Sequence, residues 1–464
     1  MLTRLALGLA ALAVSTTAIP TIEAKGSKFF TSDGNQFFIK GIAYQLTDDE
    51  DPLGNADQCA RDVALMKTLG TNSVRVYHVN PAADHDACMK TLADAGIYAW
   101  IDLDTTTTYV YDVASQTASW NEGQLQAFQQ VMDAFQKYDN VAGFFVANEL
   151  LNSGAMSDGA PYIKAAGADL KAYRDSQGYR KIPIGYSAAD IPDLRPNLQN
   201  YMACGEHPLD FYSLNAYEWC GSNTYEGSGY DQLQKNASSY SIPIFFSETG
   251  CSKIRPRLFQ DQSAIFGPEM SGTWSGAIIY EWIQEDNDYG LISYGPKASI
   301  GNDPANNIYN SYTRSGTPTA TQPEFSNLMN AWKTATPSAV SMANYSPSNS
   351  PPSCPSFTSG LWEVSGDAAL PTIGGAAVTS KPPTPTGVPT PSLNSDNPNA
   401  AASSRASSTA SQTTSTSATG TASAHSSSGA ATSLRIHHAT SFESKIMSGL
   451  MVVGAAVFGI NFVL

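Results

Sequence analysis

Eight short apolar segments recur between residues 37 and 282 of this 464-residue chain. They span 37–45, 73–79, 98–104, 141–149, 182–187, 211–219, 242–250 and 274–282. Several are nearly continuous runs of Val, Ile, Phe and Ala, the pattern expected of parallel strands covered on both faces. Amphipathic stretches lie between them. Residues 57–69 set Ala60, Val63, Ala64 and Leu65 near helical spacing and stop at Gly70, and 84–95 stop at Gly96. Residues 124–138 carry Leu125, Phe128, Val131, Met132 and Phe135, and 162–175 end near Gly178. Glycine just past a helix supplies the left-handed residue that closes it. Strand and helix alternating eight times predict an α/β fold, the (β/α)8 TIM barrel. An open doubly wound sheet is the alternative, but no GxGxxG follows the first strand, which removes the main support for a dinucleotide-binding version.

The ends of the chain have a different character. Residues 1–18 place Arg4 before the apolar run 5–14 and finish on Thr16, Thr17 and Ala18, as a secretory signal peptide cleaved after Ala18 does. The run is too short to cross a bilayer. At the other end, small residues around Gly429 precede a polar spacer and the apolar tail 450–464. These are the parts of a GPI-attachment signal, with Gly429 as the expected attachment residue and Ser428 and Ala430 nearly as suitable. The expected organisation is a barrel over 19–345, a post-barrel extension over 346–371, a stalk over 372–429 and a removed anchor signal over 430–464. The stalk is Ser, Thr, Ala and Pro with almost no aromatics, so it lacks the apolar area needed to fold and reads as O-glycosylated. Asn236 and Asn344 begin N-glycosylation sequons.

A net charge of −15 speaks against nucleic acid as a partner and leaves neutral polysaccharide compatible. Six cysteines in a secreted chain imply three disulfides, with fifteen possible pairings. No CxxC pair or histidine spacing suggests a metal site, and no cofactor is expected.

In a barrel of this kind, chemistry gathers at the C-terminal ends of the strands. Those ends hold Gln45, Tyr77, Asp102, Asp104, Asn148, Glu149, Tyr217, Trp219, Glu248, Tyr280, Glu281 and Trp282. Carboxylates to act on a glycosidic bond and aromatic faces to stack on sugar rings are what carbohydrate chemistry requires. Glu149 and Glu248 each close an apolar strand, the fourth and the seventh, and could face each other across the mouth. Either one alone could be a helix cap or an ion-pair partner. The two together, with Asn148 beside the first, point to a retaining glycosidase pair.

The ordered motifs KGIAYQ at 40–45, SVRVY at 73–77, YAWIDLD at 98–104, GFFVANE at 143–149, NAY at 215–217, FSETGC at 246–251 and IIYEW at 278–282 resemble glycoside hydrolase family 72, the fungal GPI-anchored β-1,3-glucanosyltransferases. The resemblance covers about residues 19–370. It implies Glu149 as general acid/base and Glu248 as nucleophile, with Asn148 on the 2-hydroxyl of the cleaved sugar. It also implies Gln45, Tyr77, Asp102, Tyr217 and Tyr280 along the sugar subsites. Arg75 and Tyr217 are the candidates for supporting the nucleophile. Trp219, Trp282 and Tyr289 are candidate stacking platforms or core residues, and Asp104 and Glu281 are expected as supporting or surface groups. The resemblance further implies disulfides Cys59–Cys88, Cys220–Cys251 and Cys204–Cys354. Some members carry a cysteine-rich carbohydrate-binding module after the barrel; here no cysteine follows Cys354. The implied reaction cleaves a β-1,3-glucan internally and joins the new reducing end to the non-reducing end of another chain. A secreted β-1,3-glucanase and a non-catalytic glucan-binding protein are the alternatives. The implied partners are β-1,3-glucan chains, with membrane contact only through the lipid anchor.

Overall fold

The computed structural model describes residues 18–47, 50–104, 108–112, 117–366 and 368–373. Residues 1–17 of the expected signal peptide, 374–429 of the expected stalk, Gly429 included, and the expected anchor signal 430–464 lie outside them. Eight parallel strands close into a barrel in sequence order: β1 Ile39–Ala43, β2 Ser73–Val76, β3 Tyr98–Asp102, β4 Val141–Asn148, β5 Ile184–Ala189, β6 Phe211–Asn215, β7 Ile244–Thr249 and β8 Trp274–Ile279. Each overlaps an expected segment, and most end earlier. Gln45, Tyr77, Glu149, Tyr217 and Tyr280 prolong the apolar pattern but belong to the loops that follow the strands.

The expected helices appear as α1 Ala56–Leu69, α2 Asp86–Asp94, α3 Glu122–Phe135 and α4 Ala160–Ser176. Asn55 caps α1 by accepting from Gln58 N, and Gly70 ends it at φ 92°. A reciprocal Asn121–Gln124 capping box starts α3. Four more helices complete the ring: α5 Arg195–Ala203, α6 Tyr230–Ala237, α7 Asp261–Ile265 and α8 Glu324–Thr334.

Side-chain alternation along the strands stacks the barrel interior in layers. Trp100, Phe145, Phe211 and Phe245 fill the lower layer, with ring centroids 5.0–6.2 Å apart. Phe29, from a hairpin of Ile22–Lys25 and Lys28–Thr31, closes the barrel floor 5.3 Å from Trp100. The rings need room. A Cβ on Gly143 would lie 2.6 Å from Trp100, and one on Gly185 would lie 2.4 Å from Phe211. This aromatic floor leaves the polar residues of the same strands at the mouth.

Disulfides join Cys59 to Cys88, Cys220 to Cys251 and Cys204 to Cys354. The first ties α1 to α2, and the second ties the loops after β6 and β7. The third fastens the extension, whose Trp362 and Val364 are fully buried, Trp362 against Tyr201 at 5.3 Å. The packed segment reaches Leu370 and Ile373, slightly beyond the expected boundary at 371. Asn236 and Asn344 are both exposed.

Candidate active site

The strands that lead to the two glutamates each carry one extra residue near their C-terminal end. Pairing steps from Phe145↔Gly185 to Asn148↔Ser187 across β4 and β5, and from Leu214↔Phe246 to Asn215↔Glu248 across β6 and β7. Such a bulge re-aims the side chains that follow it. On β7 it lets consecutive residues, Ser247 and Glu248, both join the network at the barrel mouth. Glu149, just past β4, takes the left-handed φ of 52°, a conformation sparsely used by residues with a Cβ and concentrated at functional sites.

Arg75 organises the centre. Fully buried, it forms a two-armed pair with Asp102: Nε to Oδ1 at 3.0 Å and Nη2 to Oδ2 at 2.7 Å. Its remaining donors reach Asn148 Oδ1 at 3.0 Å, Ser187 Oγ at 3.1 Å and Glu248 Oε1 at 3.4 Å. The guanidinium also lies over the rings of Phe145 and Tyr77, at 4.3 and 4.5 Å. Burial works against this charge, and the field of Asp102, with Tyr77 and Glu248, outweighs it, so the Arg75 pKa rises.

Glu248, 8% exposed, accepts from Tyr77 Oη at 2.8 Å on Oε1 and from Tyr217 Oη at 2.7 Å on Oε2. Glu149 Oε1 accepts from Asn215 Nδ2 at 2.9 Å, and the same amide donates to Asn148 Oδ1 at 3.0 Å. A continuous path of hydrogen bonds therefore joins the two acids: Glu248, Arg75, Asn148, Asn215, Glu149. Ser187 Oγ sits 2.9 Å from Asn148 Oδ1, Asn215 Oδ1 and Ser247 Oγ, fixing the amide orientations from below.

The environments of the two acids differ. Burial, then the charge of Glu248, raises the Glu149 pKa from 4.5 to about 7, against the opposing bond from Asn215. Glu149 can thus hold a proton near neutrality, while Glu248 in the same network accepts from two tyrosine hydroxyls. This is the division of labour that acid/base chemistry on a glycosidic bond uses.

The sequence model of the glucanosyltransferases of glycoside hydrolase family 72 matches residues 11–315. The chain belongs to glycoside hydrolase family 72.

This family 72 chain is 35% identical over 372 residues to the 1,3-beta-glucanosyltransferase Gas2 of Saccharomyces cerevisiae, covering 76% of itself and 63% of that protein. It is 38% identical over 361 residues to 1,3-beta-glucanosyltransferase gel1 of Aspergillus fumigatus, covering 76% and 74%. With Protein EPD1 of Candida maltosa it shares 43% over 284 residues, 59% of this chain and 51% of that one. It thus spans between half and two thirds of two of these relatives. Among solved structures it is similar to a mutant of yeast Gas2p in complex with laminaritetraose and laminaripentaose, with a TM-score of 0.67 and 36% identity over 76% of this chain and 74% of that one.

Several expected site residues of the family 72 chain take supporting positions. Asp102 is 2% exposed with both oxygens on Arg75, so it acts on the site through that arginine. Gln45 spends its amide on main chain, accepting from Tyr77 N and His78 N and donating to Thr47 O and Glu50 O. It braces two loops and is half-buried. Trp282 is fully buried in the core and offers no stacking face. Trp219 packs on Tyr230 at 5.2 Å. Glu281, expected as a supporting or surface group, is buried and accepts from Asn287 Nδ2 at 2.7 Å. Tyr217, Tyr280 and Tyr289 form an edge-to-face triangle with centroids 5.4–6.5 Å apart.

The sequence reading did not single out Asn215 as a site residue, or Ser187 and Ser247. Asn215 ends β6 as Asn148 ends β4, and that position was its available signal. Also missed were Asp190, just past β5, and its ion-pair partner Arg195, which lies 3.4 Å from Glu218. Burial and a bond to Asp190 raise the Glu218 pKa well above the usual carboxylate range. Among the described residues, no group of three or more His, Cys, Asp or Glu could hold a metal ion.

Proposed function

We propose that this protein is a retaining 1,3-beta-glucanosyltransferase of the fungal cell surface. It cleaves a β-1,3-glucan internally and transfers the new reducing end to the non-reducing end of a second chain. The observation that supports this most is the network joining Glu149, whose pKa burial and Glu248 raise to about 7, to a donor-ringed Glu248. Names and bound sugars of the relatives support the substrate class.

In the first half-reaction Glu248 attacks the anomeric carbon while Glu149 passes its proton to the leaving oxygen. The carbon–oxygen bond to the leaving chain breaks as the ester to Glu248 forms. Esterification removes the Glu248 charge, and with it part of what raised the Glu149 pKa, so Glu149 can now accept a proton. In the second half-reaction Glu149 takes the proton of an acceptor hydroxyl, and that oxygen displaces Glu248, restoring the β configuration. Asn148, held by Arg75 and Asn215, bonds the sugar 2-hydroxyl, and Tyr77, Tyr217 and Tyr280 line the subsites. Asp102 and Gln45 act by holding Arg75 and the Tyr77 loop.

A saccharide acceptor must compete with roughly 55 M water, which requires positioning more than added reactivity. A GPI anchor at Gly429 and a glycosylated stalk would hold the barrel, with sugars on Asn236 and Asn344, at the outer face of the plasma membrane, within reach of the wall. Separate Glu149→Gln and Glu248→Gln substitutions test the assignment. Each is expected to abolish turnover of laminari-oligosaccharides while leaving their binding measurable by calorimetry. Full activity in either variant would contradict it.

A further inference from the structure

We infer that Arg257, oriented by Glu324, is a positioning residue for the reaction, acting through the tyrosine triangle on the Tyr217–Glu248 bond. The inference rests on the reading of Glu248 as nucleophile. Arg257 follows β7 and is 2% exposed. Its Nη1 donates to Tyr280 O at 3.0 Å and to Gly250 O at 3.4 Å, and its Nη2 donates to Tyr289 O at 2.6 Å. One guanidinium thus fixes the main chain at the end of β7, at the end of β8 and in the loop beyond. Two of the three carbonyls belong to the rings that flank Tyr217.

Glu324, at the start of α8 and also 2% exposed, sets the direction of this fork. Its carboxylate accepts from Arg257 N at 2.9 Å and Nε at 3.4 Å, and from Arg255 Nε and Nη2 at 2.8 and 2.6 Å. Tyr289 is held a second time: Asn287 Oδ1 accepts from its N–H at 3.1 Å, while Asn287 itself donates to Glu281.

A buried ion pair gives little net stability over an apolar substitute, because desolvation offsets the attraction. What it provides here is geometry. Arginine's planar fork reaches three carbonyls while Nε faces a carboxylate, which a lysine ammonium cannot do. Tyr289 and Tyr280 pack edge-on against Tyr217 at 5.5 and 6.5 Å, so a shift of their backbone displaces the hydroxyl that donates to Glu248.

A double-mutant cycle tests this, using rates at saturating laminari-oligosaccharide for wild type, Arg257→Lys, Tyr217→Phe and the double variant. The expected result is about a tenfold loss of kcat in Arg257→Lys with KM changed less than about threefold, and no further loss when it is added to Tyr217→Phe. Losses that multiply would overturn the inference, since a purely structural defect lowers both backgrounds equally. If Arg257→Lys does not fold, Glu324→Gln enters the cycle in its place with the same two outcomes. Loss of elongation in the wild type would refute the proposed transfer alone, because the cycle can then be read on hydrolysis.

Discussion

Tyr217 donates its hydroxyl to Oε2 of Glu248 at 2.7 Å, opposite the bond from Tyr77 to Oε1. Both carboxylate oxygens are thereby fixed, which would orient the group for attack in the proposed reaction. Hydrogen bonds to a charged group contribute about 1.5–3 kcal/mol. Tyr217→Phe is therefore expected to lower kcat by about tenfold to a hundredfold. Its circular dichroism spectrum should match that of the wild type. A rate within twofold of wild type would show that the bond does not serve the reaction.

Glu149 should set the alkaline limb of activity. As the proposed general acid it must be protonated in the free enzyme, and its pKa is raised to about 7. The expected kcat/KM profile falls above about pH 7. A limb below pH 5 would mean that burial and Glu248 do not act on this group as described.

The same shift has a consequence for stability. A carboxyl whose folded pKa lies above its unfolded value binds its proton more tightly when folded. Its favourable contribution is complete below the ordinary value of 4.5, is lost as pH rises through about 7, and stays lost above. Glu149→Gln is neutral at every pH, so its melting temperature is expected to exceed that of wild type at pH 8, the difference shrinking towards pH 4. A difference independent of pH would contradict this.

Asp102→Asn leaves Arg75 buried without its two-armed partner. Breaking such a pair costs about 3–5 kcal/mol. The expected outcome is a clearly lowered denaturation midpoint together with reduced kcat, because Arg75 also orients Asn148 and touches Glu248. Urea denaturation and steady-state rates check both parts.

The barrel was legible because its strands are buried on both faces and so appear as unbroken apolar runs, and because glycines such as Gly70 stop the helices. Four of the described helices were not read from the sequence; one of them, Asp261–Ile265, is with 5 residues too short for periodicity to register. Strand-end logic also singled out Glu149, Glu248 and Tyr217, which the fold brings into one hydrogen-bonded network with Arg75. It could not reveal the one-residue shifts in β4 and β7, because a bulge leaves no compositional trace. For the same reason it could not show that Asp102 turns both oxygens to Arg75, or that Gln45 spends its amide on main chain. Arg257 and Glu324 lie 67 residues apart and meet only in the fold.

Removing the Cys204–Cys354 disulfide by paired serine substitutions separates fold from chemistry. Its sequence separation is 150 residues, and it holds an extension that carries the buried Trp362. A loss of about 2–4 kcal/mol of stability is expected with kcat unchanged where the protein remains folded. A large fall in kcat in the folded variant would place the extension in the reaction.

The most direct measurement is the length of the products formed from a single laminari-oligosaccharide of defined size. The account predicts products longer than the starting material, joined by β-1,3 bonds and absent with Glu149→Gln or Glu248→Gln. Products that are only shorter would contradict transfer.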